Sequence, residues 1–149
     1  MNKSLILPAS VSLLFFSCTS DKSSQHTDDT ITNNADTACY MWVSDRDTVE
    51  MKLNMSDDDV NGELNYKWYE KDKNLGSFTG KMNGDTLVGD YTFQSEGMQS
   101  VREIVFLRKA EQLLQGTGEM TEQGGKVIFK DKSKLSFSKD IVLDKTDCH

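Results

Sequence analysis

Between Val49 and Phe93 the chain changes polarity at almost every residue, and this period of two restricts the fold more than any other feature. Val49, Met51, Leu53 and Met55 alternate with Thr48, Glu50, Lys52 and Asn54, as a half-buried strand requires. Val60, Gly62, Leu64, Tyr66 and Trp68 continue the pattern against Asn61, Glu63, Asn65, Lys67 and Tyr69. Gly76, Phe78, Gly80 and Met82 follow, then Leu87, Gly89, Tyr91 and Phe93. Asn83-Gly84, between these last two runs, predicts a two-residue hairpin turn. Further strands are expected over 101–108, 113–120, 126–130, 134–137 and 141–145. No segment sustains a helical period. Pro8 is the only proline, so nothing beyond it interrupts ladder hydrogen bonds.

Short links between consecutive strands imply an all-β, antiparallel up-and-down meander of about eight to ten strands. Gly62, Gly76, Gly80 and Gly89 share a face with core residues, and Gly116 and Gly118 share one with each other. In a small sheet such glycines mark tight bends, which favours closure into a barrel, lipocalin-like or calycin-like in outline, over a sandwich. Closure also removes exposed edges.

Residues 1–17 read as a leader: basic at Lys3, apolar from Leu5 to Phe16, small at Ser17. The apolar run is short of the roughly 20 residues that span a bilayer. Leu13-Leu14-Phe15-Phe16-Ser17-Cys18 resembles a bacterial lipobox, of the looser kind common in Bacteroidota lipoproteins, with Phe15 where Leu is commonest. The resemblance implies a signal peptide cut before Cys18, a lipoprotein, and a diacylglycerol plus a third, palmitate-type acyl chain on Cys18. Three chains make release negligible at about 0.8 kcal/mol per buried CH2. Thr19 rather than Asp follows, which implies the outer membrane of the cell envelope. Ser20-Asp21-Lys22 matches a surface-export signal only in part, so periplasmic face and cell surface both stay open.

Residues 18–38 are rich in Ser, Thr, Asp and Asn with Ile31 as the one large aliphatic. They are expected to form a disordered tether spanning roughly 25 Å. Asp29-Thr30-Ile31 and Asp36-Thr37-Ala38 resemble the O-glycosylation triplets of Bacteroidota, which makes Thr30 and Thr37 candidate acceptors. The same triplet at Asp47-Thr48-Val49 and Asp85-Thr86-Leu87 falls inside expected strands. The folded domain is placed at 39–149. With Cys18 acylated, Cys39 and Cys148 remain as an even pair in an exported chain and read as a disulfide bond. A closed barrel would bring them together by placing its first and last strands side by side.

Composition and motifs exclude most chemistries. A net charge of −7 repels phosphates and argues against a nucleic-acid partner. The only histidines are His26 in the tether and His149 at the last position. No Ser-His or Cys-His pair can therefore form within the domain, nor a His/Cys zinc site. No phosphate loop or dinucleotide fingerprint is present, and no cofactor is implied. Asp57, Asp59 and Asn61, followed by Gly62, match the opening of a calcium loop. The twelfth position is Trp68 instead of Glu, and the flanks alternate like strands, which favours a plain acidic hairpin turn.

Glu96, Arg102 and Glu103 are the candidate pocket residues. Arg102 and Glu103 lie on opposite faces of one strand, so one must point inward. If Val101, Glu103, Val105 and Leu107 form the interior face, Glu103 is buried and needs a partner. Paired carboxylates among Glu96, Glu103 and Glu119 are the enzyme alternative, since glycoside hydrolysis needs only two.

Cys39-Tyr40, Asp47-Thr48-Val49, Gly84-Asp85-Thr86-Leu87, Ser95-Glu96-Gly97, Val101-Arg102-Glu103 and Cys148 together resemble a small uncharacterised family of Bacteroidota lipoproteins, over residues 39–148. Asp90-Tyr91-Thr92-Phe93-Gln94-Ser95-Glu96-Gly97 bears a fainter likeness to the membrane-bound C-type lysozyme inhibitors. That likeness implies an anchored barrel with its ends joined by a disulfide. The expectation is a lipid-anchored, non-catalytic envelope protein whose barrel binds a small ligand or an envelope protein. Lysozyme inhibition and paired-carboxylate hydrolysis are the alternatives.

Overall fold

The computed structural model describes residues 36–71, 73–137 and 140–148. The leader, Cys18, His26, Thr30 and His149 lie outside them. The alternating runs become strands: β1 (Asp36–Ser44), β2 (Asp47–Ser56), β3 (Asp59–Lys67), β4 (Lys73–Asn83), β5 (Thr86–Ser95) and β6 (Met98–Lys109). Shorter ones follow: β7 (Gln112–Gln115), β8 (Met120–Gln123), β9 (Lys126–Phe129) and β10 (Val142–Thr146), with a 3-10 turn at Lys132–Lys134. β1 starts at Asp36, so the first strand reaches into the stretch assigned above to the tether and includes Thr37.

β1 to β7 pair consecutively and antiparallel, and β10 then lies between β7 and β1. β5 pairs with β6 along its whole length, so β1–β7 and β10 close into an eight-stranded antiparallel barrel. Two-residue turns join β1 to β2, β2 to β3, β4 to β5, β5 to β6 and β6 to β7. Their first residues, Asp45, Asp57, Gly84, Glu96 and Ala110, all have positive φ, as tight hairpins demand. The β4–β5 turn is Gly84-Asp85, with Asn83 paired to Thr86 in the ladder. It therefore sits one residue later than Asn83-Gly84 predicted.

The inward residues make one core. Val49, Leu64, Leu87, Phe106 and Leu143 are fully enclosed, and burying each such side chain contributes roughly 1.5–3 kcal/mol. Two glycines let the sheet coil tightly around them. A Cβ on Gly62 would lie 1.8 Å from the Lys52 carbonyl oxygen, and one on Gly76 2.0 Å from that of Thr92.

One expected strand is cut short and another is absent. The run 113–120 stops being strand after Gln115, and 134–137 holds only a single bridge between Thr117 and Ser136. The link from β7 to β10 is thus a long excursion, which departs from a pure meander. β1 enters the barrel at the end carrying the β2–β3, β4–β5 and β6–β7 turns. The excursion leaves through the wall after Gln115, which lies opposite Phe106.

Cys39 pairs with Thr146 in the β1–β10 ladder, and its sulfur is bonded to that of Cys148 at 2.08 Å with the Cα atoms 5.2 Å apart. The bridge closes a loop with a sequence separation of 109. Replacing both cysteines by Ala is expected to lower stability by up to about 4.7 kcal/mol, the chain-entropy value for a loop near this length. Denaturant unfolding checks this; an unchanged midpoint and slope would show that the bond adds nothing to closure.

Candidate functional site

The barrel wall is incomplete along one edge of β6. β7 is only four residues long and pairs with β6 from Phe106 to Lys109. Gly116 N then donates to Val105 O at 2.8 Å, and the chain turns outward. Thr117 and Ser136 exchange two backbone hydrogen bonds of 2.9 Å. The β8–β9 hairpin returns over the outside, where Val127 meets Arg102 in a short parallel pairing. Between the Arg102–Val127 contact and the Gly116–Val105 bond lies a cavity of about 200 Å³ that reaches through the wall.

Gly116 and Gly118 explain why the strand ends there. A Cβ on Gly116 would sit 3.1 Å from the Phe137 ring, and one on Gly118 2.8 Å from Leu135 Cδ2. These two side chains therefore press against bare backbone. Val105, Leu114 and Phe129, all buried but apart from the barrel core, complete a second apolar layer outside the wall. Packing of that layer overrides the alternation that favoured a continuous strand.

On its inner side the cavity is lined by Tyr66, Tyr91 and Arg102, which belong to a larger aromatic group inside the barrel. Trp42 meets Trp68 edge-on at 6.1 Å, Tyr66 lies 5.8 Å from Trp68 and 6.0 Å from Tyr91, and Tyr91 stacks on Phe93 at 4.8 Å. The Arg102 guanidinium lies 5.1 Å from the Phe93 ring centre, within cation–π range. Arg102 is opposite Tyr91 in the β5–β6 ladder, so it shares the inward face with Ile104 and Phe106. No carboxylate pairs with it among the described residues. The Tyr91 hydroxyl donates to Asn74 O at 3.0 Å.

Burial pushes the Tyr66 hydroxyl well above the usual phenol range, against the opposing pull of Arg102 and of Gln115 beside it. Burial, helped by Tyr66, does the same to Tyr91, again opposed by Arg102. Gln115 pairs with Phe106 and so faces inward. Its Oε1 is buried with no hydrogen-bond partner among the described residues.

Glu103 occupies the other face. It is 8% exposed, yet it lies beneath the excursion and not inside the barrel, so of the two faces left open above the interior one is that of Arg102, Ile104 and Phe106, not that of Val101, Glu103, Val105 and Leu107. Its Oε2 accepts from Phe129 N at 3.0 Å and its Oε1 from Lys132 Nζ at 3.0 Å. Both carboxylate oxygens are thus engaged in holding the excursion, and a Lys126–Asp90 ion pair holds the hairpin to β5.

The remaining candidates lie elsewhere. Glu96 is exposed in the β5–β6 turn, and Glu119 is exposed and paired with Lys130. The cavity lining includes Glu103 but neither of these, so the three carboxylates do not converge on it. Asp57 and Asp58 form the β2–β3 turn, Asp59 pairs with Lys81 at 2.6 Å, and Asn61 Oδ1 accepts from Asn54 Nδ2 at 3.2 Å. That is an acidic hairpin between strands in which Asp59 and Asn61 already have side-chain partners. Thr37 is exposed, and its hydroxyl donates to Asn54 Oδ1 at 2.9 Å.

Of the three candidate pocket residues, Arg102 and Glu103 therefore meet at one cavity and Glu96 does not. Tyr66, Tyr91 and Gln115 join them without having been singled out as polar site residues. Gln115 did carry a signal: a polar residue two places after Leu113, on the face that should be apolar. The fold defines a closed eight-stranded antiparallel barrel with an external hairpin covering a break in its wall. No family model, no curated protein and no solved structure matches the chain.

Glu103→Ala leaves Lys132 and the Phe129 N–H without their partner, and is expected to cost about 1–3 kcal/mol. Hydrogen exchange should then quicken across 117–137 while the β2–β5 ladder stays protected. Uniform loosening of the barrel would contradict the latch role. A second expectation concerns alkaline pH. The unfolded chain ionises its tyrosines near pH 10, whereas folded Tyr66 and Tyr91 stay protonated, so stability is full below pH 10 and falls as pH rises beyond it. Absorbance titration should show at least two of the four tyrosines ionising only as the barrel unfolds. Ordinary titration of all four in the folded chain would refute this.

Proposed function

We propose that this chain is a non-catalytic, lipid-anchored envelope protein whose barrel binds a small ligand in the cavity at the β6–β7 seam. One observation carries the ligand reading: Arg102, on the barrel's inward face, borders that cavity with no carboxylate partner among the described residues. A cation placed in a partly enclosed site without an opposite charge is expensive as structure and useful as a binding group. Glu103 does not supply the counter-charge, since Lys132 and Phe129 already engage it. Those same bonds leave it poorly suited to general acid–base work. The lipobox supports the envelope assignment, with Cys18 as the acylated residue, outer membrane as the favoured location, and the membrane and the ligand as the partners.

Two measurements test this. Cys18→Ser should move the protein from the membrane to the soluble fraction of cells and remove label from a fed fatty acid; unaltered membrane association would exclude the anchor. A fragment library screened by NMR should perturb amides of β6 and of 116–118, and Met120→Trp, which fills the cavity from its rim, should abolish those shifts. Hits confined to other surfaces, or turnover of any fragment, would overturn the reading.

A further inference from the structure

Two groups in the cavity lining lack what they need. The Arg102 guanidinium offers planar paired donors with no anion among the described residues to receive them, and it lies over the Phe93 ring, 5.1 Å from its centre. Gln115 Oε1 is a buried acceptor without a donor among the described residues, and an unmet buried acceptor costs free energy. Both line the same cavity as Tyr66, whose hydroxyl sits beside Gln115 and stays protonated because burial disfavours its ionised form. The surrounding walls, from Ile104, Val105, Met120 and Phe129, are apolar.

We infer that the cavity takes a small monoanionic carboxylate bearing a hydroxyl or amino group, with the carboxylate on Arg102 and the added donor on Gln115 Oε1. This rests on the small-ligand reading above and names the ligand's chemistry. The guanidinium fork matches the two oxygens of a carboxylate in parallel hydrogen bonds. One anionic charge suits the site better than two: Arg102 is the one cation in the lining among the described residues, Glu103 stands beside it there, and the chain carries a net −7. A volume of about 200 Å³ falls below the roughly 300 Å³ at which pockets for drug-sized molecules begin. The ligand is therefore small, with an apolar remainder against Ile104 and Phe129.

The test is calorimetric titration of the full chain with glycolate, lactate and mandelate, each beside its uncharged amide, and with inorganic phosphate. At least one acid should bind ten-fold or more tightly than its amide. Arg102→Gln should erase that difference, and Arg102→Lys, which keeps the charge without the fork, should restore part of it. Gln115→Leu should weaken lactate or mandelate while leaving propionate or phenylacetate unchanged. Equal affinity for acid and amide in the unaltered protein overturns the inference even if the Arg102 variants fail to fold. So does tighter binding of phosphate, or no binding by any acid. Fragments that bind at the seam while every acid fails would leave the small-ligand reading standing and remove only this one; silence from both removes both.

Discussion

The barrel exists because five residues, Val142–Thr146, fit between β1 and β7 and give each its missing ladder partner. Without β10 the sheet would run open from β5 through β1 on one side and from β6 through β7 on the other, with two edges exposed to pairing by other chains. β10 buries only Leu143 in the core, a small apolar contribution for so consequential a strand. The disulfide supplies what the core does not. By joining Cys39 to Cys148 it holds both sides of the closing seam against chain entropy. The two-residue turns and the coiling at Gly62 and Gly76 then matter because the sheet must curve far enough to meet itself.

Closure is complete at one end and partial at the other, and the site is a consequence. β7 and β10 are too short to cover the whole edge of β6, so the N-terminal half of that strand would stand bare. The excursion between them covers it from outside, with Val105, Leu114 and Phe129 as its own small core and Glu103 as the polar pin. The cover pairs with β6 only at Arg102–Val127, so it does not fill the gap as a full-length ladder partner would. The cavity is the space that remains, and it lets Arg102, on the inner face, share an opening with Glu103, on the outer one. Neighbours in sequence that point apart are thereby brought to one site.

The period-two pattern from Val49 to Phe93 made β2 to β5 legible, because each of those strands faces a uniform core on one side and water on the other. Legibility failed where a strand has two buried faces. In β6, Glu103, Ile104, Val105 and Phe106 are all buried, so alternation could not say which face was interior. It failed again at 113–120, where local pattern favoured strand but Leu135 and Phe137, distant in sequence, claim the space over Gly116 and Gly118. The β4–β5 turn slipped by one residue because Asn83 can serve as well in a ladder as in a turn.

The sequence by itself determined an all-β chain of eight to ten strands, since alternation is a local property, and it pointed to Cys39 with Cys148 among its three cysteines only once the lipobox resemblance set Cys18 aside. It also determined that one of Arg102 and Glu103 must face inward, because adjacent strand residues oppose each other. Only the tertiary structure decided which one. That choice depends on where β7 ends and what the excursion covers, and both follow from contacts between residues far apart in the chain, which no local period records.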